Sequence, residues 1–99
     1  MPTVRWSRGA LDDVKAQITY ISADNPLAAQ KVIDRLNTAA DALGRRLTGR
    51  PGRVTGSYET SVTGVPYILC YEVWPDDTVY ILRVIHTARD WPEGAFPKP

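Results

Sequence analysis

The chain has 99 residues, 43% of them hydrophobic, with 12 Lys and Arg against 11 Asp and Glu for a formal charge of +1. That length holds one domain with one core, and the near-neutral balance argues against a protein that lives by wrapping a phosphate backbone. The lone cysteine, Cys70, excludes an internal disulfide and fits a reducing compartment; no charged-then-apolar leader and no apolar run near the roughly 20 residues of a membrane span occurs, so a cytosolic protein is expected.

In chain order, "TVRW" at 3–6 alternates as a short strand, and Ser7 follows with a hydroxyl suited to cap a helix. Leu11, Val14, Ile18 and Ile21 then recur at spacings of three and four, predicting an amphipathic helix over 7–24, with Asp12 and Asp13 near the positive end of its dipole. Pro26 biases Asn25 away from helical angles yet suits the first position of a new helix that Asn25 caps. That second helix, over 26–46, carries Ala29, Val32, Ile33, Leu36, Ala40 and Leu43 as its stripe, and Gly44, Arg45 and Arg46 mark its end. "TGRPGRVTG" reads as a loop, after which strands are expected over 57–63, 66–74 and 78–87, separated by the turn signals "TGVP" and "PDD". Short turns make neighbours antiparallel, so the expected fold class is α+β, a β-meander packed on a helical hairpin, with a proline-rich tail over 88–99.

Strict alternation places Ile68 and Cys70 opposite Leu69 and Val73 in the second meander strand, and Val79, Ile81 and Ile85 opposite Leu82 and Val84 in the third. Both sheet faces are then apolar while the hairpin covers only one. The second face is expected either to bind a protein partner or to be closed by the N-terminal strand and the tail with Trp91 and Phe96.

The chemistry-bearing residues are few. His86, the only histidine, ends the run "VYILRVIH", and histidine is the side chain best suited to proton transfer at neutral pH; the alternative is a hydrogen-bonded residue that orients the tail. Arg45, Arg46, Arg50 and Arg53 cluster around the helix end and loop as a candidate basic patch, or as an ordinary solvated surface. Tyr58, Tyr67 and Tyr71 either stack on bases or pack on the sheet with their hydroxyls at its rim. Glu72 is expected to pair with Arg83 across adjacent strands, and Glu59 with Arg53 or Arg83. The adjacent pairs Asp12 with Asp13 and Asp76 with Asp77 point apart and make no metal site, and the glycine-rich loop lacks the lysine and helix of a phosphate-binding loop.

The order strand, two helices, three-strand meander, together with "GRPGRVTGSYE", "PYILCYEV" and "ILRVIHTARDWP", resembles the ParE/RelE superfamily of toxins from bacterial type II toxin–antitoxin modules, over about Val4 to Pro92. The resemblance implies a first strand placed beside the last, no cofactor, and a cognate ParD-like antitoxin whose C-terminal segment lies across the toxin in a hetero-oligomeric complex. RelE-like members cut messenger RNA on the ribosome with cationic groups on the sheet, whereas ParE-like members poison DNA gyrase. At the positions matching two RelE-type lysines this chain carries Glu59 and Ser61, and Ile68 follows Tyr67 where an arginine is expected. The resemblance therefore favours gyrase inhibition, with no catalytic residue. The alternatives are a ribosome-dependent endoribonuclease using Arg83, His86 and Arg89, and an inactive module that only binds antitoxin and tunes their operon. Arg50, Arg53, Tyr58, Tyr67, Leu82, Val84 and Trp91 are the expected target or partner contacts.

Overall fold

A computed structural model describes residues 3–47, 49–52 and 55–88. Within them the chain runs β1 (Val4–Trp6), α1 (Arg8–Ser22), α2 (Pro26–Arg45), β2 (Arg50–Pro51), β3 (Tyr58–Ser61), β4 (Tyr67–Val73) and β5 (Val79–His86). Each helix starts on a side chain that satisfies one of its free amides: Ser7 Oγ accepts the Ala10 N–H at 2.9 Å and Asn25 Oδ1 the Ala28 N–H at 3.1 Å. The sheet order is β1-β5-β4-β3-β2. β1 joins β5 in parallel, so the chain's first strand lies beside its last, and the remaining pairs are antiparallel.

The helical hairpin covers one sheet face. Val32, Leu36, Ala40 and Leu43 of α2 and Ala10 of α1 meet Tyr67, Leu69 and Tyr71 of β4 and Val79, Ile81 and Val84 of β5 in a single core. Val14, Ile18 and Ile21 are partly buried against it, but Leu11 at the margin of the α1 stripe stays 52% exposed.

The β4–β5 register corrects the alternation expected from sequence. Tyr67, Ile68, Leu69 and Cys70 pair with His86, Ile85, Val84 and Arg83, but Tyr71 then pairs with Ile81, leaving Leu82 as an extra residue. Such a bulge flips side-chain parity along the strand. Val84 therefore joins Val79 and Ile81 on the helix-facing side, buried to 1% exposure, and Ile85 moves to the other face beside Ile68. The expected open apolar surface is not found at the centre of that second face: Ile68, Cys70 and Ile85 are all buried there. With Val84 withdrawn into the core, they form a small apolar centre whose neighbours in the ladder are Glu59, Ser61 and Arg83.

Two further details depart from the sequence reading. The glycine-rich segment contains β2, paired to β3 through Arg50 with Glu59 and Pro51 with Tyr58, and an edge position is where a strand tolerates proline. Its approach is close enough that a Cβ on Gly49 would collide with the Tyr71 hydroxyl and the Glu59 carbonyl. Asp13 lies beyond the first turn of α1, and its carboxylate is directed at β5 instead of at the helix terminus. β1 accompanies β5 only to Ile81. Past that point α1 completes the edge: Ser7 N–H donates to Ile81 O at 2.9 Å, Ser7 Oγ donates to Leu82 O at 2.9 Å, and Val84 N–H donates to Asp13 Oδ2 at 2.9 Å. Backbone groups that an edge strand would leave open are thereby paired.

Candidate functional site

The face turned away from the helices carries Glu59, Ser61 and Ile68, the positions that the resemblance matches to RelE-type cationic groups. The ladder aligns Arg50, Glu59, Cys70 and Arg83 in one row across four strands, and Ser61, Ile68 and Ile85 in a parallel row. Glu59 is only 2% exposed. A buried carboxylate in this row repels a phosphodiester, and Ile68 offers it no donor. Arg83 is engaged: its Nε and Nη2 grip the Asp13 carboxylate at 2.7 and 3.0 Å. The expected Glu72–Arg83 pair is replaced by this one, because the bulge sets Arg83 opposite Cys70 while Glu72 accepts the Trp74 indole N–H at 2.8 Å. Burial raises the Cys70 thiol above its ordinary 9.0, opposed by a hydrogen bond with Ser57 and raised further by Glu59. A thiol kept protonated and buried is a poor nucleophile.

His86 closes β5. Its Nδ1 accepts the Ala88 N–H at 3.1 Å, and its ring meets the Tyr67 ring edge-on at 5.1 Å and 88°. Tyr67 is buried, with its hydroxyl donating to Gln17 Oε1 at 3.2 Å. The Thr87 N–H donates to Pro66 O at 3.0 Å, which pins the strand end.

The remaining contact candidates divide by burial. Val84 and Tyr67 lie in the core, so neither is a surface contact, and Leu82 at the bulge is half-buried. Tyr58 is 40% exposed and stacks on Tyr71 at 5.7 Å, while the Tyr71 hydroxyl accepts the Gly49 N–H at 3.0 Å and is raised above its usual value by burial. Arg45, Arg46 and Arg50 are exposed around the end of α2 and β2. Arg53, Arg89, Trp91 and Phe96 lie outside the described residues. Among the described residues no group of three or more His, Cys, Asp or Glu side chains could hold a metal ion.

Sequence patterning missed an apolar groove between the helices and β1. Its volume is about 140 Å³ and its walls are Trp6, Leu11, Val14, Ile33, Leu36 and Asn37. The available signal was the width of the two stripes: Leu11 and Ile33 both lie at stripe margins, where a helix pair cannot bury every apolar side chain. An aromatic pair at the β4–β5 turn was also missed, with Trp74 and Tyr80 rings 4.7 Å apart.

The family model for the ParE toxin of the type II toxin–antitoxin system parDE matches residues 4–91. A putative toxin, Y4kP of Sinorhizobium fredii, is 38% identical over 91 residues, covering 91% of this chain and 93% of that protein. Toxin RelE2 of Caulobacter vibrioides is 39% identical over 89 residues, covering 90% and 99%. Among solved structures, the chromosomal ParDE system from P. aeruginosa superposes with a TM-score of 0.77 over 85% of this chain and 94% of that one, at 23% identity. The RelBE2 toxin–antitoxin complex of Mycobacterium tuberculosis superposes at 0.57, with 27% identity over 86% and 90%. With a family model spanning β1 to the end of the sheet and two relatives above 30% identity over nine-tenths of the chain, this protein belongs to the ParE toxins of type II toxin–antitoxin systems.

Proposed function

We propose that this toxin acts on DNA gyrase through protein contact, without covalent chemistry of its own, and that a cognate ParD-like antitoxin neutralises it. The observation that carries the reading is the sheet face itself. The positions that would need cations for ribosome-dependent RNA cleavage hold a buried Glu59, Ser61 and a buried Ile68, and Arg83 is held by Asp13. Scission of a phosphodiester needs groups that stabilise charge developing on phosphate, and a carboxylate in their place works against it. We assign the antitoxin to the Trp6, Leu11, Val14 and Ile33 groove, an apolar surface of the kind the apolar side of an amphipathic segment covers.

The test is gyrase supercoiling of relaxed plasmid with purified toxin, run beside a ribosome-programmed mRNA cleavage assay on the same preparation. Inhibited supercoiling or trapped cleaved DNA with intact mRNA is the expected result. Cut mRNA with unaffected gyrase overturns it in favour of the endoribonuclease reading, with Arg83, His86 and Arg89 as its first candidates. Activity in neither assay, with antitoxin binding retained, favours the inactive regulatory module.

A further inference from the structure

We propose that the cleft between α2 and the end of β3 binds a phosphate oxyanion. The cleft has a volume of about 190 Å³ and is lined by Arg35, Thr38, Ala39 and Ala42 of α2 and by Thr60, Ser61 and Thr63. It opens because α2 presents two alanines to a strand end whose side chains are short. Its one charged wall is the guanidinium of Arg35, which lies against the β3–β4 turn. Gly64 adopts φ +85°, and a Cβ there would lie 3.2 Å from both Cζ and Nε of Arg35. The guanidinium therefore lies directly on the Gly64 backbone at the β3–β4 turn, and only glycine both takes that conformation and leaves that space.

The donor chemistry selects the ligand. A guanidinium is a rigid fork of N–H donors that matches two oxygens of an oxyanion, and among the described residues Arg35 has no ion-pair partner. Thr60 sits on the helix-facing side of β3, opposite Leu69 in the ladder, and Thr63 stands on the turn. Thr60 forms the strand side of the wall, and the Thr63 hydroxyl can rotate to donate from the turn. Thr38 Oγ1 already donates to Asp34 O at 2.9 Å and serves as wall. No carboxylate lines the cleft among the described residues. Asp34 instead faces the adjoining furrow along α2, where it accepts from Gln30 Nε2 at 3.0 Å and shares the lining with Lys31 and Arg35. Donors arriving from a helix and from a turn suit oxygens that point in different directions, as those of a tetrahedral phosphate do, and Lys31 one turn before Arg35 extends the positive charge along the furrow.

The experiment is an amide and arginine Nε NMR titration of the full-length chain with inorganic phosphate, replacing chloride at constant ionic strength. Saturable shifts at Thr60, Thr63, Gly64 and the Arg35 side chain are expected at roughly millimolar phosphate, the range of a charge-assisted contact in an open cleft. Arg35→Gln should weaken them by at least about tenfold, Thr63→Val by a smaller factor, and Arg46→Gln not at all. An unsaturating drift, or the same curve for wild type and Arg35→Gln, overturns the site. A short oligonucleotide without terminal phosphates separates the sources. Tighter binding than inorganic phosphate at the same resonances assigns the cleft to a nucleic-acid phosphodiester, and binding of inorganic phosphate alone assigns it to a free or terminal phosphate. This result is independent of the supercoiling assay.

Discussion

Asp13 and Arg83, 70 residues apart in sequence, form a two-pronged ion pair at 2.7 and 3.0 Å, and the same carboxylate takes the Val84 N–H at 2.9 Å. One side chain on α1 therefore supports both a cation and a backbone amide of the strand edge that β1 does not reach. Arg83 has a side chain 43% exposed, so solvent screens much of the ionic share. The hydrogen bond to the partly buried Val84 amide is the larger part, because an amide left without an acceptor bears its full desolvation cost. Asp13→Ala should lower unfolding free energy by about 2 kcal/mol and Asp13→Asn, which keeps an acceptor, by about 1 kcal/mol. Urea denaturation measures both, and an Asp13→Ala variant as stable as wild type would show that the edge contact contributes nothing.

Ser7 has two tasks at that edge, accepting from Ala10 N–H and donating to Leu82 O. Ser7→Ala removes both and should cost about 1–2 kcal/mol, the upper part of the range for a helix cap. Ser7→Asp retains the cap but has no proton for Leu82 O; recovery of full stability in that variant would mean that the Leu82 contact is idle.

Val84 and Leu11 should respond oppositely to a charge. Val84 is 1% exposed in the core, so Val84→Asp should destabilise the chain by more than about 3 kcal/mol. Leu11 is on the groove rim, and Leu11→Asp should leave stability within about 0.5 kcal/mol while weakening antitoxin binding by more than about tenfold. Calorimetric titration with the cognate antitoxin reads the second effect. Unchanged affinity would move the antitoxin away from the groove.

His86→Ala should leave growth arrest and gyrase inhibition intact, at a stability cost of about 1 kcal/mol from the lost edge-on contact with Tyr67. A variant that still folds, still binds antitoxin and no longer arrests growth would speak for chemistry at His86.

Cys70 and Tyr71 are both raised, mainly by burial, above ordinary values of 9.0 and 10.0. Burial favours their neutral forms in the folded chain, so above those values the unfolded chain releases protons first. These two groups leave stability unchanged with pH below 9.0 and make it fall as pH rises through their folded-state values. Cys70→Ala should shift the onset of the loss toward the Tyr71 range. A profile that is flat to pH 11, roughly a unit past the ordinary tyrosine value, would contradict the burial of these groups.

What the sequence determined by itself was local. Ser7 and Asn25 cap helices because their side chains reach amides three residues on, and the turn signals around Gly64 and Asp77 separate antiparallel strands, so the α+β order was legible without any tertiary information. The absence of cations at 59, 61 and 68 was legible for the same reason, once the family positions were matched. The faces of β5 were not. "VYILRVI" is apolar in both parities, so nothing in it marks the bulge at Leu82, and only pairing with β4 decides that Val84 goes inward and Ile85 outward. Asp13 read equally well as a dipole partner until β5 was placed beside the start of α1, and Arg83 read as the cross-strand partner of Glu72 until Asp13 was placed beside it. Each of those decisions depends on which distant segment arrives at the edge of a strand, and that is a property of packing, which no window of sequence contains.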